Sequence, residues 1–214
     1  MPACDIYIRL GVFVFLFAVF IIFTKKITEG IARSFISAFN IKKLLEIDRE
    51  LLLKTNRNYA LVFLLPMGAF LLSYKTINPS SIECCSPSLL FLIICLGSAA
   101  YLLLKAGALS LLDYVNQTTC FKAINRFFRN YLIISLTTII IGNLFSFLIP
   151  IIKNNVLIIW VIVCCVVPYF IYLCMASKII FENKFSLFFY ILYICALEIL
   201  PLAVVLKIIL IFFS

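Results

Sequence analysis

Apolar residues along this chain neither alternate nor fall into a narrow helical stripe. They come in long, nearly unbroken runs separated by short polar stretches. Six runs stand out, at 6–23, 59–74, 88–104, 131–152, 156–175 and 185–213. Runs near ~20 residues are what a helix needs to cross a hydrocarbon slab of about 30 Å, and a chain in lipid must satisfy its backbone groups within such helices. The pattern predicts an all-α fold: a polytopic transmembrane helical bundle of about six spans, forming a single membrane domain over 1–214. The run at 59–74 is short and carries Pro66, and the run at 185–213 is long enough to tilt, with Pro201 as the cause of a kink. Lys153, Asn154 and Asn155 leave room between the fourth and fifth runs for a tight reversal only, so those two form a hairpin. The first run ends in Thr24-Lys25-Lys26 rather than in small residues, which reads as an uncleaved anchor.

The polar stretches carry the charge. Lys25, Lys26, Arg33, Lys42, Lys43, Arg49, Lys54 and Arg57 fall in the first connection; Lys105, Lys122, Arg126 and Arg129 in the third; Lys178 and Lys184 in the fifth. The intervening connections hold only Lys75 and Lys153. Because Lys and Arg accumulate on the cytoplasmic side, the three rich connections are expected inside and both termini outside. Within the first connection, Ile31, Phe35 and Ala38 share one helical face, and Leu44, Ile47 and Leu51 share another. Lys42 with Glu46 and Glu50 with Lys54 are spaced as i,i+4 pairs. The segment 31–53 is therefore expected to be an amphipathic cytoplasmic connection lying on the inner leaflet.

Composition sharpens this reading. With 65% hydrophobic and 13% charged residues, the chain is far from the make-up of a soluble domain. The net charge of +9 is spread between apolar runs instead of being gathered on one solvated face, which speaks against nucleic acid and for anionic headgroups as partners. Lys105, Lys122, Arg126 and Arg129 are the candidate basic cytoplasmic surface, suited to membrane lipids or to a membrane-protein partner. Nine cysteines and no histidine give no zinc-type spacing, and no glycine-rich phosphate loop occurs, so neither metal nor cofactor is expected. Cys95, Cys164, Cys165, Cys174 and Cys195 read as small hydrophobes, whereas Cys84 and Cys85 lie in a polar loop whose redox state the sequence leaves open. Gly97, Gly107 and Gly142 are expected to permit close helix contact.

The string Phe188-Phe189-Tyr190-Ile191-Leu192-Tyr193-Ile194-Cys195-Ala196-Leu197-Glu198-Ile199-Leu200-Pro201-Leu202, with Lys207 after it, resembles the closing signature of an uncharacterised family of Bacteroidota inner-membrane proteins, known only as a domain of unknown function. Tyr101-Leu102-Leu103-Leu104-Lys105 and the segment from Gly142 to Pro150 resemble it too. The likeness runs from about Asn56 onward and departs from the family in the first span and around Cys84-Cys85. It implies a bacterial inner-membrane address, and supplies no reaction.

Three kinds of function can be weighed on the residues. A non-catalytic scaffold or assembly factor would work through the basic cytoplasmic face. A small carrier would use polar groups at mid-bilayer depth, and here Glu198, Asn143 and Pro201 form the candidate midplane polar site, with Glu198 and Asn143 at matching depth in the six-span layout. A lipid-modifying enzyme is least supported, because such enzymes show paired carboxylates, a metal set or a nucleophile with its base. The scaffold reading leads. The topology is checkable with reporter fusions: fusions in the regions from Lys42 to Lys54 and from Lys122 to Arg129 should report the cytoplasm, and one after Ser214 the opposite side. A Ser214 fusion active only in the cytoplasm would overturn the layout.

Overall fold

Long apolar runs become long helices because, without water, the backbone can satisfy itself only along its own axis. The computed structural model describes residues 2–37, 51–73, 87–116, 120–148, 154–182 and 198–199. Within them lie five helices: α1 (Pro2–Ser37), α2 (Leu51–Leu71), α3 (Pro87–Asn116), α4 (Cys120–Leu148) and α5 (Asn154–Glu182). Four segments are long and apolar enough to cross a membrane: Leu10–Ser37, Ser88–Val115, Phe121–Ser146 and Ile159–Phe181. The expected second span is not among them. Helix α2 starts well before residue 59 and takes Lys54, Asn56, Arg57 and Asn58 into its first turns, while Pro66 sits inside it without ending it. Apart from 198–199, the expected sixth run at 185–213 lies outside the described residues, as do 38–50 and the Cys84-Cys85 loop.

Helix α4 is the hub. It packs on each of the other four helices, most extensively on α5, while α1 packs chiefly on α2. Of its membrane-length window 44% is buried, against 6% for α3. That difference explains why α4 is the most polar of the four candidate spans: its neighbours are protein, which can accept its hydroxyls and amides, whereas the outward face of α3 meets lipid. Leu92, Leu96, Leu103 and Leu104 of α3 are all more than half exposed, as a lipid-facing surface requires. Two apolar cores meet on α4. Ile133 and Ile140 face Ile27 of α1 and Ala60 and Leu64 of α2. Phe121, Ile124 and Phe128 face Leu109 of α3 and Tyr172 and Ile180 of α5.

The expected surface-lying segment at 31–53 begins instead as the last turns of α1. Its residues are drawn inward by polar contacts. Asn130 of α4 donates to the Ser37 hydroxyl at 2.7 Å and to the Ser34 carbonyl at 3.1 Å, and both serines are buried. Asn56 of α2 donates to Glu29 at 2.8 Å. Between these ties Gly30 brings α1 onto α2, so that a Cβ added there would lie 2.6 Å from the Asn56 carbonyl oxygen. The α4–α5 pair runs antiparallel: Ser135 donates to the Cys164 carbonyl at 2.7 Å, and the Trp160 indole to the Thr138 carbonyl at 3.2 Å. Gly142 makes room for that indole, which an added Cβ would overlap. Of the three glycines expected at helix contacts, Gly142 is one. A Cβ on Gly97 or Gly107 would meet nothing within 4 Å.

The glycines therefore separate into two classes with opposite signs. Gly30→Val should destabilise the bundle by about 1–3 kcal/mol, because the crowding falls on backbone that cannot swing aside. Gly97→Ala should stabilise it by up to about 1 kcal/mol through helix propensity. Thermal unfolding in a mild detergent reads both. Equal tolerance at the two positions would contradict the packing described.

Candidate functional site

A lysine inside an apolar helix needs either water or a counter-charge. Lys105 sits one turn after Tyr101 on α3, inside the candidate span Ser88–Val115 and only ~5 Å along the axis past its centre. It has found a counter-charge. Its Nζ lies 2.8 Å from Oε1 and 2.9 Å from Oε2 of Glu198, and both side chains are 1% exposed. Tyr169 and Tyr172, three apart on α5 and so on one face of that helix, point their hydroxyls at the same carboxylate. Tyr169 donates to Oε2 at 2.8 Å and Tyr172 to Oε1 at 2.7 Å. Each carboxylate oxygen thus receives the ammonium and one phenol. Lys105 also donates to the Tyr101 hydroxyl at 3.4 Å.

The ammonium is further held by rings. Its Nζ is 3.6 Å from the centroid of Phe128, 4.8 Å from Tyr172 and 5.7 Å from Tyr101. A cation over an aromatic face gains about 0.5–2 kcal/mol, the upper end when desolvated. The rings also pack on one another, Phe128 against Tyr172 edge-on at 5.3 Å and against Tyr101 at 6.0 Å. The arrangement is an ion pair walled by aromatics, joining α3, α5 and the residue pair 198–199 with Phe128 of α4. Chemically it is a saturated tie: the carboxylate's lone pairs are taken by donors and the ammonium's protons by acceptors and ring faces.

Glu198 and Asn143 do not meet. Glu198 is level with Phe128, and Asn143 is fifteen residues further along the same helix, ~22 Å at the helical rise. Asn143 is fully buried and donates to the Ile139 carbonyl at 3.0 Å, one turn back on α4. Pro201 lies outside the described residues. Of the four basic residues expected on one cytoplasmic surface, Lys105 is not on a surface at all but is the partner Glu198 needed. Lys122 is exposed, and Arg126 and Arg129 are half-buried, all three in the early turns of α4. Sequence reading assigns Lys105 to the basic surface and not to Glu198, and it does not single out Tyr169 and Tyr172. The available signal was the apolar pattern that continues past Lys105 to Leu112, which places the lysine within a span and leaves it requiring an acid.

Comparison with known proteins gives a family without an activity. A family model described as "Domain of unknown function (DUF4271)" matches residues 6–209. No curated protein and no solved structure matches the chain.

Removing one member of a buried ion pair strands the other, at a cost on the order of 3–5 kcal/mol. Lys105→Met and Glu198→Ala should each lower thermal stability and membrane abundance by that margin. Glu198→Gln should be nearly as harmful, since it keeps the phenol bonds but leaves the ammonium uncompensated. Lys105→Met combined with Glu198→Gln should recover much of the loss. Additive losses in the double variant, measured by thermal unfolding, would show that the two groups are not coupled.

Proposed function

We propose for this chain, which belongs to the DUF4271 family, the role of a non-catalytic scaffold or assembly factor in a bacterial inner membrane, working through its cytoplasmic face. The observation that carries the reading is the state of its membrane-depth acid. A carrier's carboxylate has to exchange partners with cargo or protons, which calls for a vacant position or a path to water. The carboxylate of Glu198 is instead 1% exposed and bonded to Lys105, Tyr169 and Tyr172. Such an arrangement holds helices together. The chain's chemistry toward others is then left to its surfaces, and Lys122, with Arg126 and Arg129 beside it, supplies a basic one.

Basic residues near an anionic leaflet contribute about 1 kcal/mol each, and salt screens them. In this role they would hold anionic headgroups or the acidic flank of a membrane-protein partner. A second reading, a small carrier, draws on the position of the ion pair beside a cavity lined by the same tyrosines. The two part company on one experiment. In the triple variant Lys122→Gln, Arg126→Gln, Arg129→Gln, the scaffold reading expects a folded protein that loses anionic phospholipid or a cross-linked partner, with the difference shrinking at high salt. Mass spectrometry of the detergent-purified protein at low and high salt reads this. Unchanged lipid and partners would reject it, and a small molecule retained by both proteins would favour the carrier.

A further inference from the structure

The tyrosines that hold Glu198 have a second side. Tyr169 and Tyr172, with Tyr101 and Phe128, also form one wall of a cavity of about 420 Å³ between α4 and α5. Tyr131, Leu132, Ser135, Leu136 and Ile139 of α4 and Cys165 and Val166 of α5 complete the lining. Most of its polar side chains are engaged elsewhere: the phenols of Tyr169 and Tyr172 donate to Glu198, the Tyr101 oxygen accepts from Lys105, and the Ser135 hydroxyl donates to the Cys164 carbonyl. Tyr131 and Cys165 also line it, and the surface facing the space is overwhelmingly apolar.

Depth and access decide what can enter. Tyr101, Leu132 with Ser135, and Tyr169 lie at or within two residues of the centres of the candidate spans Ser88–Val115, Phe121–Ser146 and Ile159–Phe181, so the cavity is at the middle of the slab. Val166 lines the cavity and is 57% exposed on the outward side of α5, next to Val167 at 51% and Ile162 at 54%. The cavity therefore opens sideways, toward the region a bilayer fills with chains. Water is scarce there, and a headgroup cannot reach it without burying its charge. An apolar space of this size would forfeit dispersion contacts if left empty. We infer that the cavity binds the terminal half of a phospholipid acyl chain, which enters past Val166 and packs against the tyrosines that clamp Glu198. The inference rests on the membrane-spanning reading of α3, α4 and α5 and is independent of the scaffold role.

Photoreactive phosphatidylcholine in vesicles of otherwise unlabelled phosphatidylcholine tests it, with a diazirine placed near the methyl end of the chain or near its carbonyl. The chain-end probe should label the peptides carrying residues 132–139 and 165–172 well above the lipid-facing stretch 92–104 of α3, which reports ordinary lipid contact. The carbonyl-end probe should lose that preference. Val166→Trp, which fills the mouth from an exposed position, should abolish the excess while leaving labelling of α3 unchanged. Chain-end labelling of the cavity peptides no stronger than that of α3, or an equal excess with the carbonyl-end probe, would overturn the proposal. So would an excess that survives Val166→Trp in protein with an unchanged melting temperature. Should that variant prove unstable, the chain-end to carbonyl-end ratio in the unaltered protein still decides.

Discussion

A charge placed within hydrocarbon has to be neutralised by something the chain itself carries, and much of this bundle can be read as the consequence of meeting that demand at Lys105 and Glu198. Insertion scales put a lone lysine or carboxylate near mid-slab at roughly 2.5–3.5 kcal/mol each. Bringing Lys105 and Glu198 within 2.8 Å removes the need to hydrate either. It also obliges α3, α5 and the chain around residue 198 to converge, because the ammonium, the phenols and the carboxylate come from three different stretches. Phe128 brings α4 to the same point. The aromatic wall is what makes the pair tolerable: rings of Phe128, Tyr101 and Tyr172 crowd the ammonium, excluding lipid while presenting negative faces.

Helix α4 can serve as hub because its polarity is distributed in depth. Toward its start Asn130 reaches α1 through Ser34 and Ser37. Further along, Ser135 and Thr138 meet α5 through the Cys164 carbonyl and the Trp160 indole. Each contact links a side chain on one helix to a backbone carbonyl or hydroxyl on another, at perhaps 0.6–2 kcal/mol apiece in a membrane setting. Apolar packing on both flanks of α4 fills the space between these ties. Side-chain hydroxyls elsewhere fold back on their own helices, as Thr28 does on the Thr24 carbonyl at 2.8 Å, which is how α1 carries polar residues through its length.

The helical class, the α4–α5 hairpin and the continuation of α3 past Lys105 were legible in the sequence, because each follows from the length and continuity of apolar runs. So was the singular status of Glu198, an acid in an apolar run. Its partner was not. A lysine near the end of a hydrophobic segment carries the same signal whether it anchors topology or neutralises an acid, and Lys105 and Glu198 are separated by 93 residues. Counting from the ends of the apolar runs put Asn143 at the depth of Glu198, yet the carboxylate stands level with Phe128, ~22 Å along α4 from Asn143, and Asn143 bonds to the Ile139 carbonyl of its own helix. The end of α1 misled for a related reason. Ile31 and Phe35 form a respectable apolar face, but Ser34 and Ser37 form a polar one, and only the presence of Asn130 opposite them decides which face turns inward.

The spacing of the ion pair along the chain has a consequence for biosynthesis. Chains emerge N-terminal end first, and domains tend to fold in that order. Helix α3, with Lys105 in its span, is therefore complete long before Glu198 has been made, and α4 and α5 follow while the lysine still lacks its acid. In that interval Tyr101, on α3 itself, is already at hand for the ammonium; the ring of Phe128 arrives next with α4, and the two phenols of α5 follow. The stretch that carries Glu198, made after α3, α4 and α5, thus acts as a keystone. A ribosome that stops short of residue 198 releases a bundle with an unneutralised cation at its centre, so the intermediate is marked as incomplete by the very charge that later locks the finished one.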